Sequence, residues 1–409
     1  MTTRNRDVLI SGASVTGPVL AYWLARYGFR PVVVERAKAP REGGYPIDVR
    51  GQGVDVAGRM GVLPELRRAS VEMAALTFVD REGRRSGGFD ARALREALPT
   101  GDIELPRGDL VRILHEATWG DVEYVYDDSI KTLDQDDDGV TVSFERGAAR
   151  RFDLVIGADG LHSIVRRLAF GEESRFIHHL GSYVAAADVP KELVTGRYGE
   201  DDQVVLYNEP GRMAGIYSYL DRATGIFVFR PPGPVTGERD GDRQRRLLAE
   251  AFAVSGWQVP ELLAAVTAAP DFYFDSVSQI RMTPWSRGRV ALAGDAAHCP
   301  ALLSGQGTTL AMVGAYVLAG ELHAAGGDHH RAFARYEAEH RAVVAKGQAR
   351  VKEGDSRLVP ATARRIRTRN RLSRLAGLAV AAAPLLRLTH RPAPRLRHYD
   401  DKNLPMTGV

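Results

Sequence analysis

The chain is poor in cysteine. Cys299 is the only one among 409 residues, so neither an intrachain disulfide nor a cysteine-rich zinc site is expected, and no metal is. Long apolar runs are also missing. No stretch reaches the ~18 residues of a spanning helix, and the longest candidate, Leu375–Leu386, contains Pro384. Near the start, Val8–Ile10 is too short for the apolar stretch of a secretory leader, and Asp7 interrupts its approach. A soluble, cytoplasmic protein without a membrane span is expected. Charge of one sign is lacking over most of the length. The formal net charge is +4, yet from Ser356 onward there are 12 Arg/Lys against 2 Asp/Glu. The tail thus carries +10 and the rest about −6, which removes the reason to expect a nucleic-acid partner.

What is there alternates. Asp7–Ser11 reads as a buried strand, Gly12–Gly17 as a tight turn, Pro18–Tyr27 as a helix stopped by Gly28, and Pro31–Arg36 as a second apolar strand. Helices are predicted over Val54–Arg68 and Arg107–Trp119, and a buried strand over Asp153–Gly157. From about 176 to 280, short strands rich in aromatic and β-branched residues suggest an antiparallel sheet. The βα pattern then returns with Arg289–Leu292 and a long apolar helix, Thr308–His323.

Gly12-x-Ser14-x-x-Gly17 between a strand and a helix fits a dinucleotide fingerprint. Gly12 permits the turn, Gly17 lets helix and strand approach, and the helix start offers N–H groups to a pyrophosphate. Ser14 stands where the fingerprint has a second glycine. Glu35 and Arg36 end the second strand, where a carboxylate accepts hydrogen bonds from an adenosine ribose. The segment is not a P-loop, because Pro18-Val19 replaces the Lys-Ser/Thr pair. It is not a nucleophile elbow either, because Thr16 replaces the last glycine.

Two later motifs complete the pattern: Asp153–Arg166 with Asp159-Gly160, and Gly294-Asp295-Ala296-Ala297-His298 with Pro300 and Gly305-Gln306-Gly307. With the first, in this order, they resemble the FAD-dependent aromatic hydroxylases, the single-component class A flavoprotein monooxygenases, over about residues 1–355. The length is that of the shorter members, such as tetracycline-inactivating monooxygenases and salicylate or 3-hydroxybenzoate hydroxylases. The resemblance implies an α/β fold: a Rossmann-like FAD-binding domain (1–175, resumed at 281–355), interrupted by a mostly antiparallel substrate domain (176–280), with a basic C-terminal helical region (356–409). It implies FAD as cofactor, and NAD(P)H and O2 as co-substrates. A small aromatic or polyketide substrate would be hydroxylated through a C4a-hydroperoxyflavin, by a monomer or homodimer; the alternatives are a flavin-dependent oxidoreductase or dehydrogenase of the same fold without oxygen transfer, or a Baeyer–Villiger or epoxidising monooxygenase. Glu35 would bind the adenosine ribose, Asp295 the ribityl hydroxyls, Arg107 the ribityl-phosphate region, and Gly305–Gly307 the flavin pyrimidine edge. Asp159 would touch FAD and NAD(P)H, and Arg50 would belong to a mobile flavin-contacting loop. One departure is Gly314, where family helices carry an acid. No catalytic side chain is identified.

Plainer readings stand beside these. Asp295 could cap the following segment, Asp159 could be a turn residue, Arg107 a solvated helix start, and Arg50 loop surface. His298 and Cys299 read as packing. Tyr207, Tyr217, Tyr219, Phe227 and Phe229 read by default as core. In the tail, Leu372, Leu375, Leu378, Ala379, Ala382 and Leu386 fall on one helical face, expected to dock on the body with the arginines outward.

Overall fold

The computed structural model describes residues 5–40, 46–97, 100–193, 202–231, 240–351, 357–376 and 396–399. Asp7–Ser11 is apolar on both faces because it is the centre of a parallel sheet. Ile10 lies opposite Val33 of Arg30–Glu35 on one side and Ile156 of Leu154–Gly157 on the other. Val290–Leu292 extends the sheet beyond Leu154–Gly157, and Glu123–Tyr126 beyond Arg30–Glu35, all parallel. Ser286–Arg287 closes one edge antiparallel. The chain leaves the central strand towards one side first and returns on the other later. The carboxyl ends of four strands therefore converge at a switch point, where open α/β sheets bind ligands. All three motifs sit at those ends.

The second large sheet runs, edge to edge, Tyr273–Ile280, Ile177–Val189, Arg222–Phe229, Arg212–Tyr219, Gln203–Glu209, Ala75–Val79 and Arg85–Asp90. Every pairing is antiparallel except Ala75–Val79 with Gln203–Glu209. Two of its strands thus come from upstream of residue 176. Helices Gly241–Phe252 and Val259–Ala268, which the strand pattern did not suggest, seal one face. Leu248, Phe252, Leu262 and Val266 pack there on Tyr207, Phe227 and Phe229, the expected core aromatics. The other face presents Val204, Leu206, Met213, Ile226 and Val228 to Ala301, with Tyr217, Leu302 and Leu303 partly buried beside them.

Smaller differences have local causes. The helix predicted over Val54–Arg68 is two, Gln52–Met60 and Leu63–Arg68. Gly61 adopts a left-handed φ of 79° and Pro64 opens the second. Within the glycine-rich loop, Pro46–Val49 pairs antiparallel with Ile103–Pro106.

The described part of the tail docks, but not by Leu372 or Leu375. Helix Ala363–Ser373 packs on strand Arg85–Asp90, where a Cβ on Gly87 would lie 2.5 Å from the Asn370 carbonyl oxygen. Arg369 stacks 3.8 Å from the Phe78 ring centre and donates to Asn208 Oδ1; Asn370 donates to Ser86 Oγ; Gly88 N–H donates to Ser373 Oγ. Leu372 and Leu375 are 60% and 53% exposed, so these two positions of the expected stripe do not dock. A bare glycine backbone offers hydrogen-bonding groups rather than side-chain surface, and polar residues answer it. Leu378, Ala379, Ala382 and Leu386 lie outside the described residues. Farther on, Leu396 and Tyr399 are buried against helix Gly307–Ala324, where Tyr399 and Arg397 both donate to Glu321 Oε1 (2.8 and 2.9 Å). Among the described residues no helix is long and apolar enough to cross a membrane.

Candidate functional site

Gly12 holds a φ of 107°, and a Cβ there would lie 2.5 Å from the Ala158 carbonyl oxygen. A Cβ on Gly17 would collide with the Gly12 carbonyl oxygen. Both glycines are therefore required by the close approach of turn, strand and helix. Ser14 is part-exposed, and its Oγ accepts from Arg107 Nη2 at 3.0 Å, so the departure from glycine supplies an anchor. Arg107 opens helix Arg107–Glu116 beside the turn. Glu35 accepts from the Ala13 and Ala37 backbone N–H groups, 2.9 Å each, one on each carboxylate oxygen. Each oxygen keeps a lone pair for a ribose hydroxyl. Arg36 is exposed next to it. His115, which the sequence reading missed, supports the turn from below: Nε2 lies 3.0 Å from the Ala13 carbonyl oxygen and Nδ1 3.0 Å from the Tyr126 hydroxyl. Burial lowers its pKa. The neutral ring then donates from Nε2 and accepts at Nδ1.

The third motif comes off Val290–Leu292. Gly294 has a φ of 60°, and a Cβ would strike Thr16 Oγ1, so this turn presses on the start of the first helix. Asp295 begins a four-residue helix without capping it. Desolvation raises its pKa, while Arg107 and the Cys299 thiol pull it down. Arg107 thus links Ser14 of the first motif to Asp295 of the third. Pro300 is buried, and its carbonyl oxygen accepts from Gln279 Nε2. Gly305 is left-handed (φ 59°), Gln306 precedes helix Gly307–Ala324, and Thr309 Oγ1 accepts from the Arg50 backbone N–H at 3.0 Å. The Arg50 guanidinium lies 3.7 Å from where a Cβ on Gly305 would be and donates to Asp48 Oδ2 at 2.7 Å. Thr309 was missed; a hydroxyl in the first turn of this helix was its only signal.

Asp159 is turned onto its own segment. It accepts from Ser163 Oγ, Ile164 N and Val165 N, capping helix Ile164–Phe170. Arg166, fully buried, donates from Nη1 to the Ala296 carbonyl oxygen at 3.0 Å and from Nη2 to Glu173 at 3.1 Å, tying this motif to the Asp295 helix. His162 bridges Glu173 (3.0 Å) and Asp275 of the large sheet (3.2 Å).

Helices Thr16–Arg26 and Gly307–Ala324 run parallel: Trp23 packs on Tyr316, and a turn later Tyr27 on His323, with ring centres 4.9 and 4.4 Å apart. Their amino ends therefore face the same space. Neither has a side-chain cap or an acid in its first turn. The other described α-helices of six residues or more are capped by Asp90, Ser163, Asp240, Asp328 or Thr362, or carry Asp55, Glu65, Asp109 or Glu261 in the first turn. Two free helix starts, Arg107, Arg50 and the Asp295 carboxylate fit a ligand with phosphates and hydroxyls. FAD matches that donor and acceptor set.

The Gly314 departure has a visible consequence. His340 Nε2 and His298 Nε2 lie 3.0 and 3.6 Å from where its Cβ would be, and both rings are buried. Without a carboxylate there, burial lowers the His298 pKa well below 6.5 and takes His340 to about 4. His162 goes the other way, raised to about 9 by its hydrogen bonds to Asp275 and Glu173. Buried rings that stay neutral give up stability as pH falls from 6.5 towards 4, at most roughly 3 kcal/mol for His340. His162 contributes fully below 6.5, and its contribution fades as pH rises through 9. Thermal stability measured against pH should peak near neutrality and fall on both sides; a flat profile from pH 4 to 9.5 would refute these protonation states.

The family profile described as FAD binding domain matches residues 5–350. A flavin-dependent monooxygenase from an unidentified prokaryotic organism is 41% identical over 334 residues, covering 81% of this chain and 84% of that protein. An uncharacterized protein of Mycobacterium tuberculosis is 46% identical over 356 residues, covering 84% and 92%. The crystal structure of tetracycline destructase Tet(55) superposes with a TM-score of 0.80 at 37% identity, covering 93% of this chain and 97% of that one. With its motifs gathered at one sheet edge and these relatives along most of its length, the chain belongs to the FAD-binding-domain family and is a flavin-dependent monooxygenase.

Proposed function

We propose that the enzyme uses NAD(P)H and O2 to hydroxylate a planar aromatic or polyketide-like small molecule. The observation that carries this reading is the asymmetry of the seven-stranded sheet. Helices seal one face, while the other turns Val204, Met213, Ile226 and Tyr217 towards Ala301–Leu303, the segment that runs directly into Gly305–Gly307. An apolar face bordering the turn assigned to the flavin edge suits a flat hydrophobic substrate. The likeness to a tetracycline destructase supports a polyketide and, with it, a role in antibiotic modification. In this reading segments 1–175 and 281–355 hold FAD, 176–280 together with strands Ala75–Val79 and Arg85–Asp90 faces the substrate, and residues 357–376 and 396–399 brace the two parts.

FAD supplies the redox chemistry when bound; the protein binds, orients and excludes water. Arg107 and the two helix starts hold phosphates, Glu35 a ribose, and Asp295 the ribityl hydroxyls. The Gly305–Gly307 turn and its helix start stabilise negative charge at the pyrimidine edge. Asp159 positions the Ser163–Arg166 segment against that site, beside which NAD(P)H docks transiently.

NAD(P)H oxidation should rise on adding phenols or tetracycline-like polyketides to the FAD-loaded protein. With 18O2, one labelled oxygen should appear in the product. NAD(P)H consumption that yields only hydrogen peroxide with every compound tested would overturn the reading.

A further inference from the structure

A second pair of acids lies next to the cofactor site, and neither the fold nor FAD uses both. Asp48 and Glu104 are direct cross-strand partners in the ribbon formed by Pro46–Val49 and Ile103–Pro106. Their side chains leave the ribbon on the same face, an arrangement that repels when both are charged. Asp48 is compensated by Arg50, which donates to it at 2.7 Å. It also stands 3.9 Å from the Cβ position of Gly305, at the turn assigned to the flavin edge. The Glu104 carboxyl has no hydrogen bond or ion pair to any described residue. It opens instead into a narrow cleft between this ribbon and the large sheet, walled by Val71, Met73, Val204, Tyr217 and Tyr219. An acid set in apolar surroundings opposite another acid is costly, and such groups cluster where proton transfer is needed.

Burial and the neighbouring Asp48 raise the Glu104 pKa to about 7, against the weaker pull of Arg95 and Arg50. Tyr217, facing it from the sheet, is itself pushed up by burial and by Glu104 and Asp48, so it stays protonated. Asp202, at the rim, accepts from the Leu220 backbone N–H. Arg95 donates to the Met73 carbonyl oxygen and lies 3.8 Å from Glu72, so Glu72 draws on the same guanidinium. Glu104 is thus the group in the cleft that changes charge near neutral pH, where a general base is most effective.

We propose that Glu104 is the catalytic base of the oxygenation, taking the proton from an acidic hydroxyl of the substrate, a phenol or an enol, in the cleft beside the flavin. The substrate O–H bond breaks, an O–H bond forms on the Glu104 carboxylate, and the electron pair stays on the substrate oxygen. No electron leaves the substrate in this step; the ring or enol becomes more electron-rich towards an electrophilic oxygen. The proton returns to water at the Asp202 rim when product leaves. The inference rests on the hydroxylase reading and names its substrate class: compounds with an ionisable hydroxyl conjugated to the carbon that is oxidised.

The test uses the FAD-loaded enzyme and its Glu104→Gln and Glu104→Asp variants, with flavin absorbance as a check on folding. 4-Nitrophenol serves as the probe, because its phenolate has its own absorption. Wild type should lower the apparent pKa of the bound probe, whereas Glu104→Gln should leave it bound but neutral near pH 7. With a phenolic substrate from the NAD(P)H screen, wild-type kcat should rise with pH through about 7. Glu104→Gln should lose at least 100-fold in kcat and lose that limb, with KM changed less, and Glu104→Asp should recover part of both. Asp48→Asn, which removes the like charge, should move the limb to lower pH. An unchanged limb and unchanged probe ionisation in Glu104→Gln would overturn the proposal. If Glu104→Gln fails to retain FAD, an unshifted limb in Glu104→Asp would do so. Should no phenol or enol be oxidised, the hydroxylase reading fails, and the nitrophenol titration still reports on Glu104.

Discussion

Replacing Asp295 by alanine should give a protein that purifies largely colourless, with affinity for FAD lowered about 10- to 100-fold. The estimate follows from one charge-assisted hydrogen bond at about 1.5–3 kcal/mol, with tenfold in affinity for every ~1.4 kcal/mol. Asp295 is suited to this because its carboxylate is desolvated, caps no helix, and sits within the field of Arg107. Asp295→Asn keeps an acceptor and the shape but loses the charge, so its loss should be smaller. Flavin content after dialysis and the Kd from fluorescence quenching measure both. A fully yellow, active Asp295→Ala enzyme would remove Asp295 from the site.

Ending the chain at residue 395 should destabilise the protein by roughly 3 kcal/mol, although among the removed described residues, 396–399, none touches the site residues. Glu321 is 0% exposed. Arg397 and Tyr399 both donate to its Oε1, and Arg335, at 3.9 Å from Oε2, would be the remaining cation. Removing one side of a buried ion pair leaves a desolvated charge, typically at a cost of about 3–5 kcal/mol when no other cation remains. The truncation also exposes the face that Tyr399 covers at Gly320, and it frees Arg59 and Tyr316, which both donate to the Arg397 carbonyl oxygen. Adding Glu321→Gln to the truncated chain should recover part of the loss by removing the stranded charge. Denaturant midpoints of the two truncated proteins and the full chain give the comparison; equal midpoints would show that the segment does not brace the fold.

The parallel sheet and the three motifs were legible because each is local. A buried strand followed by a glycine turn and an uncapped helix is written within about 15 residues, and Gly12, Gly17 and Gly294 are needed by contacts that turn makes. The wider arrangement was not. Strands Ala75–Val79 and Arg85–Asp90 join a sheet whose other members begin a hundred residues later, and nothing in their own pattern says so. Leu372 and Leu375 misled because leucines at helical spacing normally mark the buried face, whereas the partner of this helix is the backbone of Gly87 and Gly88, which selects Asn370 and Ser373. Glu104 went unnoticed because its meaning lies in Asp48 across the ribbon and in the sheet beyond, 56 and more than 90 positions away. Ser14 looked like a defect in the fingerprint until Arg107 was seen to bind it.

The two parallel helices that begin without a cap also bear on how much of this protein a cell can keep. Their first turns have neither a side-chain cap nor an acid, one or the other of which the other described helices of six residues or more have, so the folded chain is a better receptor for an anion than it is a finished structure. A ligand held only by the folded form adds stability in proportion to the logarithm of its free concentration, about 2.7 kcal/mol at a hundred times Kd. Flavin supply would then govern abundance as well as turnover: in a cell short of FAD, unfolding and degradation would remove the enzyme before an idle active site was ever observed.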